Sequence, residues 1–261
     1  MATVNSFDGT RIAFTHNVAR KPGALNLVIA ACQIPAFDKF EEVMRKSTST
    51  AVMDMRGSGS SASPETKWDF SVPAFARDIT AVMHATKAAN AVVVGYSHAA
   101  EAVAHLAISD PQRVAALVLI EPGLFVSREQ LLERSRLADA GHIEEALRLA
   151  LSSSNPGLTG KQLEEGVQYV LKTYGNSAKS IAGEWRARAE YKISEKHLAQ
   201  ITAPTLVIGG TESNIKEDVA RTAVAIPNAS LFWLRGATHF LNEKQGTTAA
   251  EITGCFLANI L

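Results

Sequence analysis

Hydrophobic and polar positions alternate along the chain in two distinct rhythms. Short apolar runs recur at Leu25–Ala31, Ala51–Met55, Ala91–Tyr96, Val114–Ile120, Thr205–Gly209 and Ser230–Leu234, each bounded by Gly, Pro or polar residues. They are too short for helices, and runs that are apolar on both faces suit strands of a parallel sheet covered by helices. Helical patterns fill the gaps at Phe37–Lys46, Val72–Ala88, Ala99–Ile108, Ile215–Ala225 and Thr247–Asn259. Ahead of them, Thr3–Phe7 and Arg11–Thr15 flank Asp8-Gly9, a turn pair that predicts a β-hairpin. Strand–helix alternation of this kind predicts an α/β fold, a mostly parallel central sheet with helices on both faces.

One segment breaks the rhythm. From Pro122 to Thr202 only helical patterns occur, near 127–139, 143–152, 160–173 and 178–191, with breaks at Gly141-His142, Asn155-Pro156-Gly157 and Gly175-Asn176. That is too long for an ordinary crossover between strands. The expected organisation is a core of residues 1–121 and 203–261 with a helical cap, or lid, over 122–202 inserted after the sixth strand.

Composition narrows the class. The chain has 261 residues, 46% of them hydrophobic and 20% charged, enough to bury a large core. Lys+Arg and Asp+Glu both number 26, which removes the electrostatic footprint of a nucleic-acid or anionic-membrane binder. No stretch approaches the roughly 20 apolar residues of a membrane span, and no basic segment leads into an apolar run near Met1. Cys32 and Cys255 lack metal-type spacing and read as free, buried thiols, which suits a reducing, cytoplasmic setting. A small molecule is the expected partner, with a second copy of the chain where a homodimer forms. Nucleic acid and membrane are not expected.

The strongest local signal is Gly95-Tyr96-Ser97-His98-Ala99, a corner between an apolar strand and a helical pattern. Small residues two before and two after the serine let strand and helix pack closely while the serine takes a strained backbone. The hydroxyl is then exposed at the carboxyl edge of the sheet, beside a helix N-terminus that favours developing negative charge. A plain N-cap serine is the alternative reading of such a turn.

With that corner in place, nearly the whole chain resembles the α/β-hydrolase family. Asp54-Met-Arg56-Gly57-Ser58-Gly59-Ser60 resembles the loop after its fourth strand. Asp110-Pro111-Gln112-Arg113-Val114 resembles its next βαβ step, Ala203-Pro204-Thr205 the strand after the cap, and Gly236-Ala237-Thr238-His239-Phe240 its C-terminal histidine loop. Individually weak, these matches are specific in this order. Gly57-Ser58-Gly59 lacks the context of a phosphate loop, and Arg186–Arg188 reads as a solvated helix face.

A serine nucleophile needs a base, and the base needs an acceptor that fixes its tautomer. His239 fits the base by position and by resemblance. The acid is less plain. The resemblance implies an Asp after the strand Thr205–Gly209, but Ser213 stands there, and Glu212 is one position off. Glu121, ending the strand Val114–Ile120 beside the serine's own strand, is the preferred acid, because a carboxylate closing an apolar run needs a partner. Glu212 is the alternative, and an arginine-paired anchor is the structural role Glu121 could have instead. One oxyanion donor is expected from the N–H of His98. The second is expected from Cys32, where the resemblance implies His-Gly.

The acid after the sixth strand is similar to that of the fungal zearalenone lactone hydrolases, as is Glu184-Trp185-Arg186-Ala187-Arg188 late in the cap. That resemblance implies Trp185 in the substrate pocket, with Phe125, Leu131 and Tyr191 as further wall candidates. The expected function is a serine hydrolase cleaving an ester or lactone of a hydrophobic small molecule, with no metal or organic cofactor. Two rivals share the scaffold: a cofactor-independent lyase or dioxygenase, and a slow-turnover ligand receptor.

Overall fold

The structure is a computed structural model, and it describes residues 1–30, 35–64, 69–174, 178–191 and 193–261. The hairpin forms from β1 (Ala2–Asn5) and β2 (Arg11–Asn17), joined by a turn in which Gly9 takes φ 84°. The apolar runs become β3 (Asn26–Ala30), β4 (Ser49–Met53), β5 (Ala91–Tyr96), β6 (Val114–Ile120), β7 (Thr205–Gly210) and β8 (Ala229–Leu234). They lie side by side in the order β1-β2-β4-β3-β5-β6-β7-β8. From β4 to β8 every pairing is parallel, and β2 alone runs against its neighbours.

Period-two alternation sorts the strand residues to two faces. Val28, Ala30, Val93, Leu117, Leu119 and Val207 face a core closed by α2 (Val72–Ala85), α3 (Ala99–Ser109) and α9 (Lys216–Ala225). Leu27, Ile29, Val94, Val118, Ile120 and Ile208 face α1 (Pro35–Met44) and α10 (Glu243–Ile260). Both faces of the central strands are therefore dry. β8 departs from the sequence expectation: as the edge strand it leaves Leu231 and Phe232 38% and 43% exposed.

Between β6 and β7 run α4 (Arg128–Asp139), α5 (Ile143–Ser154), α6 (Gly160–Tyr174) and α7 (Ala178–Glu190), followed by the short α8 (Glu195–Leu198), which the sequence pattern missed. Four residues are too few to show helical periodicity; the signal is the Ser194 cap, whose hydroxyl accepts from the His197 N–H. The helices α4 to α7 enclose their own apolar cluster, built on Leu131, Leu147, Leu151, Val167, Ile181 and Trp185.

Two boundary differences have local causes. α10 starts four residues earlier than its apolar pattern, because Asn242 and Gln245 form a reciprocal capping box. α2 ends three residues earlier, where Thr86 caps it and Lys87 turns to φ 58°. Cys255, expected to be buried, is exposed on α10, and Cys32 lies outside the described residues. Among the described residues no helix is long and apolar enough to cross a membrane.

Helix α10 reaches α1 through Gly246, where a β-carbon would collide with the carbonyl of Ala36. In Gly246→Ala the helix-propensity gain of about 1 kcal/mol opposes an overpacking cost of about 1–3 kcal/mol. The expected outcome is net destabilisation in urea unfolding; a stabilised variant would contradict the close approach.

Candidate active site

Strand register sets the site. Tyr96 on β5 pairs with Ile120 on β6, and Ile120 pairs with Ile208 on β7. Ser97 and Glu121 are each one step past that row, so they leave the carboxyl edge side by side, on strands separated by about 4.8 Å. Both turn sharply there, with φ 52° at Ser97 and φ 50° at Glu121. The left-handed region costs a non-glycine residue about 1–2 kcal/mol, so two such residues in adjacent strands mark a constrained corner. The amides remain satisfied: Ser97 N–H donates to Ile120 O at 3.0 Å and Glu121 N–H to Ile208 O at 2.8 Å. Gly95 is required by α3, since a β-carbon there would meet the Val103 methyl and the Ala100 backbone.

His239 enters from the loop after β8. That loop is held against the end of β7: Glu212 N–H donates to Ala237 O at 2.9 Å, and Gly236 N–H to Thr211 Oγ1 at 2.9 Å. Gly210 allows the approach, because a β-carbon would occupy the Ala237 carbonyl. From below, the Tyr96 hydroxyl donates to His239 O at 2.6 Å, and its ring stacks on the imidazole with centroids 5.7 Å apart. The imidazole Nε2 then stands 3.0 Å from Ser97 Oγ, and Nδ1 stands 3.0 Å from Glu121 Oε2. Against a carboxylate, Nδ1 carries the hydrogen, which leaves Nε2 as acceptor for the serine hydroxyl.

Glu121 is 0% exposed and accepts two further bonds, from Gly210 N–H at 2.5 Å on Oε1 and from Ser213 Oγ–H at 2.6 Å on Oε2. Ser213 is the residue that stands where an acid was sought in the sequence; here it is a donor to the acid of the neighbouring strand. Sequence reasoning missed Gly210 and Ser213 as partners, because Thr211-Glu212-Ser213-Asn214 is polar throughout and nothing in it marks Ser213 as the buried residue. Glu212 points elsewhere: it is exposed, and its Oε1 faces Thr211 Oγ1 at 3.4 Å.

The remaining candidates are dispersed. His98 opens α3, where first-turn N–H groups lack intrahelical partners. Its ring lies 3.8 Å from Glu184, and burial, only partly opposed by that carboxylate, holds the imidazole below its usual pKa. Leu131 and Trp185 belong to the apolar cluster of the helical insertion. Phe125 lies under the Arg221 guanidinium at 3.9 Å, and the Tyr191 hydroxyl bonds His105 Nδ1 at 2.9 Å. An apolar cavity of about 450 Å³ opens between α5, α6 and the histidine loop, lined by Leu151, Leu158, Tyr169, Val170, Phe240 and Leu241 among others. None of the four wall candidates lines it.

The stretch Arg186–Arg188 is not a solvated face. Arg186 pairs with Asp139 at 3.2 Å, and Arg188 Nε reaches Glu101 Oε1 at 3.1 Å while its Nη2 donates to Gly123 O at 3.0 Å. These contacts draw both side chains inside: α7 packs on α4, which carries Asp139, and Arg188 reaches Glu101 on α3 and the chain leaving β6. Burial, only partly opposed by Arg188, pushes the Glu101 carboxyl up to about 7. The loop after β4 is likewise structural: Arg56, which sits in its Arg-Gly-Ser-Gly run, makes a two-pronged bond to Asp78 at 2.7 Å on each arm.

This sheet, with a serine corner on its fifth strand and a histidine loop after its eighth, matches a known family over most of the chain. The protein belongs to the alpha/beta hydrolase fold family, whose model matches residues 37–244. Among solved structures it is similar to the enol-lactonase from Burkholderia xenovorans LB400, at 18% identity and TM-score 0.84 over 98% of this chain and 100% of that one. It is also similar to a thermophilic esterase from Thermogutta terrifontis, at 19% identity and TM-score 0.80 over 99% and 98% of the two chains. A hydrolase from Pseudomonas aeruginosa PA01 matches at 21% identity and TM-score 0.83 over 98% and 97%. No curated protein matches the sequence.

Ser213→Ala removes a donor from a buried charged acceptor, a bond worth about 1.5–3 kcal/mol. The variant is expected to lose stability in that range on chemical denaturation. Unchanged stability would mean that the serine adds nothing to the Glu121 environment.

Proposed function

We propose that the protein is a serine hydrolase that cleaves a carboxylic ester or lactone of a largely apolar small molecule. The observation that carries this reading is the continuous line Ser97 Oγ–His239 Nε2 and His239 Nδ1–Glu121 Oε2, with both contacts at 3.0 Å. In this reading Ser97 Oγ attacks the acyl carbon as its proton passes to His239 Nε2. Glu121 holds the ring and stabilises the imidazolium while that proton is carried. The tetrahedral oxyanion takes a hydrogen bond from the His98 N–H; Cys32, the second donor expected from the sequence, lies outside the described residues.

Collapse of that intermediate expels the alkoxide, which takes the proton from His239 and leaves an acyl-serine. Water then attacks the acyl carbon, giving its proton to the same histidine, and Ser97 departs with that proton restored. In a lactone the alcohol stays tethered to the acyl group throughout, and the second step frees both as one hydroxy acid. The enol-lactonase and esterase among the similar structures favour this substrate class. Macrocyclic lactones of the zearalenone kind are a finer version, resting on the position of Glu121 and on the sequence around Trp185.

In the proposed arrangement residues 122–202 act as a lid on the core. Support comes from α7 and the residue after it, which reach α3 through Arg188–Glu101 and Tyr191–His105. The apolar cavity beside Phe240 and Leu241 suits the hydrocarbon part of a substrate.

Ser97→Ala, assayed on 4-nitrophenyl alkanoates, is expected to lose about 10³-fold or more in kcat/KM, with an unchanged melting temperature. Turnover close to that of the parent chain rejects the nucleophile.

A further inference from the structure

Four arginines of the described residues are buried: Arg56, Arg134, Arg186 and Arg188. Three have carboxylates, namely Asp78, Asp139 and Glu101. Arg134, on the second turn of α4, has none among the described residues. Only 5% exposed, it uses Nη2 on the Ser153 hydroxyl at 2.5 Å, and its Nε has no partner. Its nearest charged influence is another cation, Arg188, and burial with that repulsion lowers its pKa to about 10, so it stays charged at neutral pH.

An isolated buried cation is costly, and a Leu or Met would pack an all-helical cluster at no such cost. Within this group Glu101 is the partner of Arg188, while no carboxylate among the described residues pairs with Arg134. Nε and Nη2 form the edge of a guanidinium that receives a carboxylate two-pronged, as Arg56 shows with Asp78 in the same chain.

The position is informative. Arg188 ties this group to Gly123, just past Glu121, and to Glu101, one turn past Ser97 on α3. On the other side, the carbonyl of Ser153 accepts from Asn214, the neighbour of the Ser213 that bonds Glu121. One contact path therefore starts at Arg134 itself, through Ser153 to Asn214, the neighbour of the residue that bonds Glu121.

We infer that the Nε edge of Arg134 is the recognition site for a carboxylate on the substrate, so that the preferred ester or lactone carries one free anionic group. A carboxylate fits because the charge of Arg134 has no anionic partner among the described residues and its Nε–H has no acceptor. The inference rests on the hydrolase reading for what happens next, but not for the binding itself.

The test pairs 4-nitrophenyl hydrogen adipate with its methyl ester, each kcat/KM divided by the ester's own hydroxide rate constant. The acid is expected to be preferred by at least about tenfold, the factor one charge-assisted hydrogen bond supplies. In Arg134→Met that preference should shrink to within about twofold. Equal handling of both esters by the parent chain, or a preference that survives in Arg134→Met, overturns the inference. Calorimetric titration of the parent chain with hexanoate and hexanamide needs neither a variant nor turnover. Hexanoate should bind at least about tenfold tighter, and equal binding overturns the carboxylate site. If hexanoate wins while neither ester is cleaved, the hydrolase reading fails and the anion site stands.

Discussion

Burying the carboxylate of Glu121 completely is the constraint around which the corner of the sheet is arranged. A carboxylate with no solvent contact is affordable only when its lone pairs are met, and here three donors converge on it. Each donor explains a local feature. Gly210 must lack a side chain so that its amide can face inward while Ala237 packs against it. Ser213 supplies a hydroxyl where a larger side chain would fill the space. His239 supplies Nδ1–H, and in doing so turns Nε2 toward Ser97.

The sheet makes this arrangement possible by register rather than by flexible loops. Tyr96, Ile120 and Ile208 lie in one row, and the residues that follow the first two both enter the left-handed region. A slip of one residue in β6 would turn Glu121 to the other face. The strain at Ser97 and Glu121 is held by the dry packing of β5 and β6 on both faces, where an unpaired amide would cost more than the distorted dihedral. The proposed site lies at the carboxyl edge of the strands, where parallel α/β sheets leave room for a ligand.

The sequence made the strands and most helices legible because double-sided burial writes itself as short Val, Ile and Leu runs between helical periods. β8 was misread as central: its run Ser230–Leu234 is apolar, yet an edge strand needs only one covered side. Ser97, His239 and Glu121 could be singled out from a strand-to-helix corner, a loop histidine and a charge ending an apolar run. The choice between Glu121 and Glu212 could not be made from spacing, because it depends on which loop turns inward, a property of Gly210 and Ala237 packing. Arg186–Arg188 looked solvated because a charged triplet on a helix usually is; Asp139 and Glu101, distant in sequence, draw the two arginines inside. Trp185 shows the same limit, since an aromatic in a helical insertion reads alike whether it packs on neighbouring helices or on a ligand.

The central claim is that Ser97 becomes nucleophilic through an imidazole held by Glu121 and by no other acid. An alkyl fluorophosphonate, with the adduct located by peptide mass spectrometry and its formation rate followed over time, tests this most directly. The account requires the label on Ser97, formed at least about 100-fold more slowly in Glu121→Gln, while Glu212→Gln labels at the parent rate. A label on another residue, or a rate that falls in Glu212→Gln and not in Glu121→Gln, contradicts it.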